Sequence, residues 1–529
     1  MTREPNNIRT LIKSLSKPSA YLETVTRVSC IQTHVSVIFL TDSHAYKIKK
    51  PVDFGFLNFS TIDRRRFYCN EEVRLNRRLC PDIYEGVVEL RDTPDGPAFH
   101  GQGAIIEYAV KMRRLPASRM LNRLVETGEA DLSTMKQVAA VIAEFHHTTP
   151  TSAAVAEYGQ PERILFNWQE NFQQMLPFES ATLAVTDRSV IQTYVESFVQ
   201  QHHPLFLQRI ADGYIRECDG DIHLENICLT NQMVYIFDCI EFNDRFRCCD
   251  TAADIAFLLM DLDYHRRHDL AKSAWDEYLA RSRDHDALQL INFYKMYRAF
   301  VRGKVESFLL NDPNIALPQR EAAINRARRY FRLVRGYIEQ ERLQPTLFIT
   351  CGVMGCGKST LATELAGDLG IACFSSDQIR KDLHGIAPDS PVHVPYNSGL
   401  YSPAQNDLTY RELLVRAEMQ LQGGKSVIID ASFIRRHDRA LFRNMAEQSG
   451  VPAVMLHLQC KPAEQKLRLQ KRSTHKAVGT ASDGRVELIQ SQQEAFEPPL
   501  PEEGFIISLD STLPLENLLS TIYNRIAAC

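Results

Sequence analysis

The apolar rhythm of the chain changes character along its length. The opening third carries short apolar runs, at 35–40 and 45–49, that predict β-strands. From about Ser133 onward apolar residues recur at helical spacing, interrupted by a β-like pair around 226–240. A small β lobe followed by a larger helical lobe is a bilobal α+β arrangement. Residues 319–342 then carry dense charge on an apolar period (Ala322, Ile324, Ala327, Tyr330, Phe331, Val334, Ile338), which predicts an amphipathic helix. Beyond Gln344-Pro345, short apolar runs at 347–350, 371–374, 426–429 and 453–458 alternate with helix-like segments, as in a parallel sheet covered by helices. The expected organisation is a bilobal domain over 1–310, a connecting helix over 311–344 and an α/β domain over 345–529.

A length of 529 residues exceeds what one hydrophobic core serves, which agrees with this division. The net charge of −4 supplies no general basic field of the kind nucleic-acid binders carry. The first seven residues lack the apolar core of a signal peptide, and no apolar run approaches the roughly 18 residues of a membrane span. A cytoplasmic protein with no membrane association is expected. Thirteen cysteines are scattered without a C-x-x-C pair, and several, such as Cys228 and Cys239, sit in apolar segments as small hydrophobes. This usage predicts a reducing compartment, no structural disulfide and no zinc site.

The densest chemistry lies at Gly352-Val353-Met354-Gly355-Cys356-Gly357-Lys358-Ser359, which fits G-x-x-x-x-G-K-[ST] between a strand and a helix that includes Thr360. Glycines Gly352, Gly355 and Gly357 let backbone N–H groups, those of Cys356 and Thr360 among them, turn inward around phosphate. Lys358 reaches the outer phosphates, and the Ser359 hydroxyl joins a Mg²⁺ shell. ATP and Mg²⁺ are therefore the expected cofactors. The strand at 371–374 runs into Asp377, and in a parallel sheet its end opens onto the same crevice. There Asp377 suits a base for an acceptor hydroxyl and Arg380 a clamp for an anionic group on the acceptor. The alternative makes Asp377 a helix N-cap and Arg380 a solvated side chain. Asp430 ends a further strand, where it contacts Mg²⁺ through water or orients the acceptor, with Arg435 and Arg436 nearby. A basic helix at 466–472 followed by a polar stretch through Asp483 reads as a lid. From it Arg468 or Arg472 meets the transferring phosphoryl group, unless the helix is only a solvated face.

A second set of phosphotransfer signals lies in the first part. Asp221 precedes Asn226 by five residues, the catalytic-loop spacing of kinases, in which the Asp acts on the acceptor hydroxyl and the Asn holds Mg²⁺. Asp238 ends the apolar run 234–237 and supplies a second metal carboxylate. Upstream, Lys47 on a strand and Glu72 on the following charged helix form a lysine–glutamate pair of the kind that fixes phosphates. Lys49 shares a strand face with Lys47, so either lysine fits that role.

Over roughly residues 25–300 the chain resembles the aminoglycoside phosphotransferase-like kinases. The resemblance is carried by Ala45-Tyr46-Lys47, Glu72-Val73-Arg74-Leu75, Gly220-Asp221-Ile222-His223-Leu224-Glu225-Asn226, Ile236-Phe237-Asp238 and Asp250-Thr251-Ala252-Ala253-Asp254-Ile255-Ala256. It implies a protein-kinase-like bilobal fold, with Asp221 as catalytic aspartate and Asn226 and Asp238 as Mg²⁺ ligands. Asp219 stands where that family usually has His; either this second carboxylate raises a neighbour's pKa or spoils packing beside the site, or, as is expected, it is a harmless surface substitution. No G-x-G-x-x-G covers the nucleotide. Residues 345–529 resemble small P-loop kinases, among them polynucleotide 5′-kinase domains, gluconate kinases and zeta-toxin sugar-nucleotide kinases. The Asp377/Arg380 spacing looks most like the polynucleotide kinases. Together the halves resemble a bacterial fusion of the two kinds. The expectation is an ATP- and Mg²⁺-dependent phosphotransferase with two nucleotide sites. A small-molecule hydroxyl acceptor is favoured over a short nucleic acid, because the composition is not basic. The alternative of another class is an ATP-gated binding or regulatory protein.

Overall fold

The strands expected at 35–40 and 45–49 belong to a six-stranded antiparallel sheet in a computed structural model of the chain. The described residues are 8–231, 233–313, 315–387, 390, 398–474 and 489–527. Helix α1 (Ile8–Leu15) precedes strands β1 (Ser29–Gln32), β2 (Ser36–Leu40) and β3 (His44–Lys49). Helix α2 (Ile62–Asn76) then leads to β4 (Tyr84–Thr93), β5 (Gly96–Ala98) and β6 (Ala104–Arg113). The sheet order is β1-β2-β3-β6-β4-β5. One face buries Val37, Phe39, Tyr46, Ile48 and Leu90 with Leu11 and Leu15 of α1. Thr61 caps α2 by accepting the Arg64 N–H. That cap sets where the helix starts, and so which of its residues meet β3.

The helical region that follows includes α3 (Leu132–Thr148), which Asp131 caps. Two short antiparallel pairs interrupt it: β7 (Ile215–Glu217) with β10 (Cys248–Asp250), and β8 (Ile227–Leu229) with β9 (Val234–Ile236). The β8–β9 register sets Ile227 opposite Ile236, which brings Asn226 to the start of Phe237-Asp238. Helix α4 (Thr251–Tyr264) is buried along its whole length.

Past residue 301 the fold is a different one. Helix α5 (Leu317–Arg342) precedes a five-stranded parallel sheet of β11 (Leu347–Cys351), β12 (Ala372–Ser375), β13 (Val427–Asp430), β14 (Ala453–Gln459) and β15 (Phe505–Asp510). The order is β12-β13-β11-β14-β15. The interleaved helices include α6 (Lys358–Leu369), α7 (Ser376–Leu383), α8 (Pro403–Gln422), α9 (Pro462–Thr474), α10 (Ile489–Ala495) and α11 (Leu515–Ile526). Successive residues of β11 serve opposite faces, as a pleated strand requires. Phe348 packs with Leu361, Leu365 and Leu519, whereas Leu347 and Ile349 pack with Leu413 and Phe442.

The chain divides into two compact units, Met1–Gln174 with Val195–Val301, and Met175–Tyr194 with Arg302–Cys529. Helix α5, read from the sequence as a connector, lies in the second unit. Its Arg332 pairs with Asp368 at 2.6 Å and with Glu364, both on α6. Gly336 meets the backbone of Asp368 so closely that a Cβ there would overlap its carbonyl. Among the described residues no helix is long and apolar enough to cross a membrane.

Gly336→Ala tests this contact. Alanine gains up to about 1 kcal/mol of helix propensity over glycine. Overpacking against backbone that cannot step aside costs about 1–3 kcal/mol. A net loss of stability is expected in thermal melts of the full chain. A higher melting temperature would mean that α5 and α6 are not held this close.

Candidate functional sites

In the first unit, β3 and α2 bring charge into the interior. Lys47 and Lys49 point from one face of β3, and both reach Glu72, which is fully buried. Lys47 Nζ lies 2.9 Å from Glu72 Oε1, and Lys49 Nζ donates to Oε2 at 2.6 Å. Lys49 also pairs with Glu241, and Lys47 with Asp238. The two lysines therefore differ by their second partner. Lys49 is enclosed, whereas the Asp238 side chain facing Lys47 is 45% exposed. Burial works against the Lys47 ammonium, but Asp238 and Glu72 outweigh it and hold its pKa well above the ordinary value. Burial likewise opposes the Glu72 carboxylate, and the two lysines more than offset it, so its pKa falls.

The loop between β7 and β8 carries the Asp–Asn pair. Asn226 Nδ2 donates to Asp221 Oδ2 at 3.0 Å and to the Asp221 carbonyl at 3.1 Å, and Asp221 keeps 31% of its side chain exposed. Asp238 has a φ of 68°, left-handed backbone that is rare outside glycine.

Asp219 is not the surface substitution that the sequence suggested, because it is 1% exposed. Its carboxylate accepts the Asp221 N–H at 3.1 Å and so shapes the loop from inside. Asp254 accepts the N–H groups of Asp219 (3.0 Å) and Gly220 (2.8 Å), and bonds to His146 Nε2 at 3.1 Å. Arg298 donates to the Gly220 carbonyl at 2.9 Å. Sequence reasoning missed His146 and Arg298 as supports, since no local spacing links them to the loop. His146, Cys218 and Asp254 lie close enough together to suggest a cation site. The polar atoms of His146 and Asp254 are, however, already engaged with each other, with Tyr278 and with the loop.

In the second unit the phosphate loop connects β11 to α6 as expected. Gly352, Gly355 and Gly357 all have positive φ (141°, 76° and 92°). A Cβ at Gly352 would lie 2.6 Å from the Leu458 carbonyl, so the loop's path requires glycine there. Lys358 Nζ donates to the Val353 carbonyl at 3.0 Å, folding back over its own loop. Ser359 and Thr360 are exposed, while the Cys356 side chain is buried in the core and leaves its backbone N–H as the relevant group.

Parallel pairing sets Ser375 beside Asp430, so Asp377, Asp430 and the phosphate loop all gather at the carboxyl edge of the sheet. The N-cap of α7 is Ser375 rather than Asp377. Arg380 is buried rather than solvated, and donates to Asp377 Oδ1 at 3.0 Å and Asn406 Oδ1 at 2.9 Å, with Tyr401 beneath its guanidinium. Asp430 is 5% exposed and lies 3.4 Å from Thr350 Oγ1. Arg468 of α9 donates to the Ser511 carbonyl at 2.7 Å, and a Cβ at Gly357 would be 3.5 Å from its Nη1. The side chain of Arg472 and the stretch from 475 through Asp483 lie outside the described residues.

Two glutamines missed by sequence reasoning hold the loop. Gln465 donates to the Met354 carbonyl at 2.6 Å, and Gln492 of α10 accepts the Met354 N–H at 2.5 Å. Gln493 then donates to Gln465 at 3.2 Å. Glutamines on amphipathic helices carry no spacing signal that marks such a contact.

A family model described as an AAA domain matches residues 347–499, the P-loop α/β part of the second unit. The chain is 31% identical over 417 residues to the uncharacterized proteins Rv2004c of Mycobacterium tuberculosis and Mb2027c of Mycobacterium bovis, covering 78% of this chain and 80% of each relative. Similar solved structures include a sugar kinase from Janibacter sp. HTCC2649 (23% identity, 35% of this chain and 95% of that one, TM-score 0.26). A gluconokinase from Sinorhizobium meliloti 1021 matches at 21% identity, over 35% of this chain and 93% of that one, with a TM-score of 0.25.

Asp219 gives the first unit a pH signature. Burial and the neighbouring Asp254 hold its pKa well above the ordinary 3.8. A carboxyl with a raised folded-state pKa stabilises most below its unfolded pKa, and that contribution is lost as pH rises toward the folded value. Asp219→Asn keeps the acceptor oxygen and removes the titration. Melting temperatures between about pH 5 and 8 should fall less steeply in the variant than in the parent chain. Parallel profiles would show that Asp219 ionises freely.

Proposed function

This chain belongs to the family of the mycobacterial proteins Rv2004c and Mb2027c, and we propose that it is an ATP- and Mg²⁺-dependent phosphotransferase with two nucleotide sites, each acting on a hydroxyl acceptor. The observation that carries the reading is the convergence of the phosphate loop, Asp377 and Asp430 at one edge of the parallel sheet. The donors available in the two units, the Ser359 hydroxyl, the Asp430 and Asp238 carboxylates and the Asn226 amide, are the hard oxygen ligands that Mg²⁺ takes. When bound, Mg²⁺ neutralises charge on the phosphate oxygens.

The residues of the second unit then have separable tasks. The inward-turned N–H groups of the glycine loop bind phosphate. Lys358 exchanges its bond to the Val353 carbonyl for a phosphate oxygen, so its charge is available without a large movement. Asp377 takes the proton of the acceptor hydroxyl as the new O–P bond forms and the bond to the departing diphosphate breaks. Arg380 holds that carboxylate in place through a direct ion pair. In the first unit Asp221 has the corresponding role on its acceptor, aligned by Asn226. Lys47 and Asp238 form the nucleotide end, with Glu72 holding the lysine. A small-molecule acceptor suits both units better than nucleic acid, given the net charge of −4.

Lys358→Ala should lower transfer by the second unit about 10²–10³-fold. Asp377→Asn should lower turnover to a similar degree while ATP affinity stays within a factor of about two. Equal losses of ATP affinity in the two variants would remove Asp377 from the acceptor side.

The first unit is tested in a full-length chain that carries Lys358→Ala, so that the second site is silent. Adding Asp238→Ala should lower the number of Mg-ATP sites seen in calorimetry by one, whereas adding Asp221→Ala should leave that number and remove transfer. An unaltered number of Mg-ATP sites after Asp238→Ala would overturn the nucleotide-site reading of this unit.

A further inference from the structure

The first unit also holds a cavity of about 660 Å³ that the site above does not use. One part of its lining is the turn after β3, where Phe54 and Phe56 are 48% and 36% exposed and stack on each other at 6.2 Å and 25°. Tyr158 adds a third ring. Phe56 packs partly on Phe242 and Phe246, yet both phenylalanines keep a third or more of their surface in water, which is unusual unless a partner covers them.

Three polar groups of the cavity, Glu170, Asn243 and Arg245, are held in place. Arg245 pairs with Glu170 at 2.7 Å and lies between the rings of Phe166 and Phe246, 5.2 and 5.0 Å from their centres. Asn243 accepts the Arg245 backbone N–H at 3.1 Å and donates to the Phe56 carbonyl at 3.0 Å, so one amide links two sides of the lining. Such preorganisation lowers the entropy that a ligand must surrender. The same stretch of chain reaches the charge cluster. Glu241 pairs with Lys49, and Phe242 packs on both Phe56 and Phe59, the ring beneath the Lys49 ammonium.

The charges decide the ligand class. Glu157 and Glu170 line the cavity together with Arg163 and Arg245, two of each sign. A polycation would need an excess of carboxylates, and a strongly anionic ligand an excess of guanidinium groups. Aromatic faces flanked by planar amide, carboxylate and guanidinium groups instead suit a ring with apolar C–H faces and hydroxyls around its rim. We infer that this cavity binds an uncharged polyhydroxylated ring, a neutral sugar or cyclitol, as the acceptor of the first unit: the lining segment 243–245 runs on into Phe246, whose carbonyl lies against Gly220, the neighbour of Asp221. Only the word acceptor rests on the phosphotransferase reading, because the binding site stands on its own geometry.

Binding to the full-length protein is measured by saturation-transfer NMR and calorimetry without nucleotide, using glucose and myo-inositol as probes. Glucosamine, glucose 6-phosphate and kanamycin serve as charged comparisons. The neutral probes should bind more tightly than the charged ones. Phe54→Ala with Phe56→Ala should weaken them at least about tenfold, which is the 1.4 kcal/mol per decade of affinity. Arg163→Ala, at an exposed helix position, gives a second variant whose fold is not in question and should also weaken them. No binding of either neutral probe, tighter binding of kanamycin, or affinities unmoved by both variants would overturn the inference. Mg-ATP is then added to the chain carrying Lys358→Ala. Phosphate transfer to the bound ring supports both conclusions, whereas binding without transfer keeps the sugar site and overturns the phosphotransferase reading of this unit.

Discussion

The first unit depends on one buried carboxylate. Glu72 has no access to water, and an isolated charge there would cost several kcal/mol. Two lysines from a single strand face, each with a further acidic partner, make it tenable. The compensation fixes much else. Helix α2 cannot slide along the sheet without stripping Glu72 of a partner, and β3 cannot slip by one residue without turning both lysines to the other face. Glu241 and Asp238 tie the segment after β9 to the same cluster. The pairs are weak evidence for net stability, since desolvation consumes much of their attraction. Their effect is to specify a register.

The second unit reaches a comparable concentration of function by topology. Parallel strands point their carboxyl ends the same way, so a loop after β11, a helix start after β12 and a carboxylate closing β13 become neighbours although they are far apart in sequence. The two units thus assemble charge by different means. One buries it between lysines and carboxylates, whereas the other collects it at the carboxyl edge of a parallel sheet, beside a glycine-rich loop. The glutamines that grip Met354 from both sides add a restraint to an otherwise glycine-rich turn, limiting the disorder that glycines would allow.

Much of this is legible in the order of the amino acids, for identifiable reasons. The phosphate loop and four of the five parallel strands announce themselves because glycine spacing and continuous apolar runs are local signals. Strand β15 escapes such reading, since its alternating burial is the weaker pattern of an edge strand. The long hairpin partners β4 and β6 escape it too, carrying charge among their apolar positions. At the sites, the Asp221–Asn226 spacing is encoded within one loop. The groups that hold that loop are not, because His146, Asp254 and Arg298 come from three separate helices. Asp219 misleads because a charged residue in a loop ordinarily lies at the surface. Its burial follows from a backbone N–H two residues on that needs an acceptor. The Arg380–Asp377 bond is foreseeable only as proximity, since helical spacing permits both an i,i+3 pair and two independent roles.

The second unit is not continuous in the chain. Met175–Tyr194 belongs to it, although more than a hundred residues of the first unit follow before Arg302. Thr182 bonds to Ser307 at 2.8 Å, Arg328 donates to the Ala181 carbonyl at 3.0 Å, and Phe178 packs on Phe308. On the ribosome this segment emerges long before its partners and must wait for them, so the second unit cannot close until translation has passed α5. Synthesis order therefore favours completion of the first unit while the early segment is still unclaimed. These partners of Met175–Tyr194, together with Arg335 at Asp187 and Glu341 at Tyr194, lie between residues 302 and 342, ahead of the parallel sheet that starts at Leu347. An exchange that keeps this helical base intact must carry two pieces of coding sequence together.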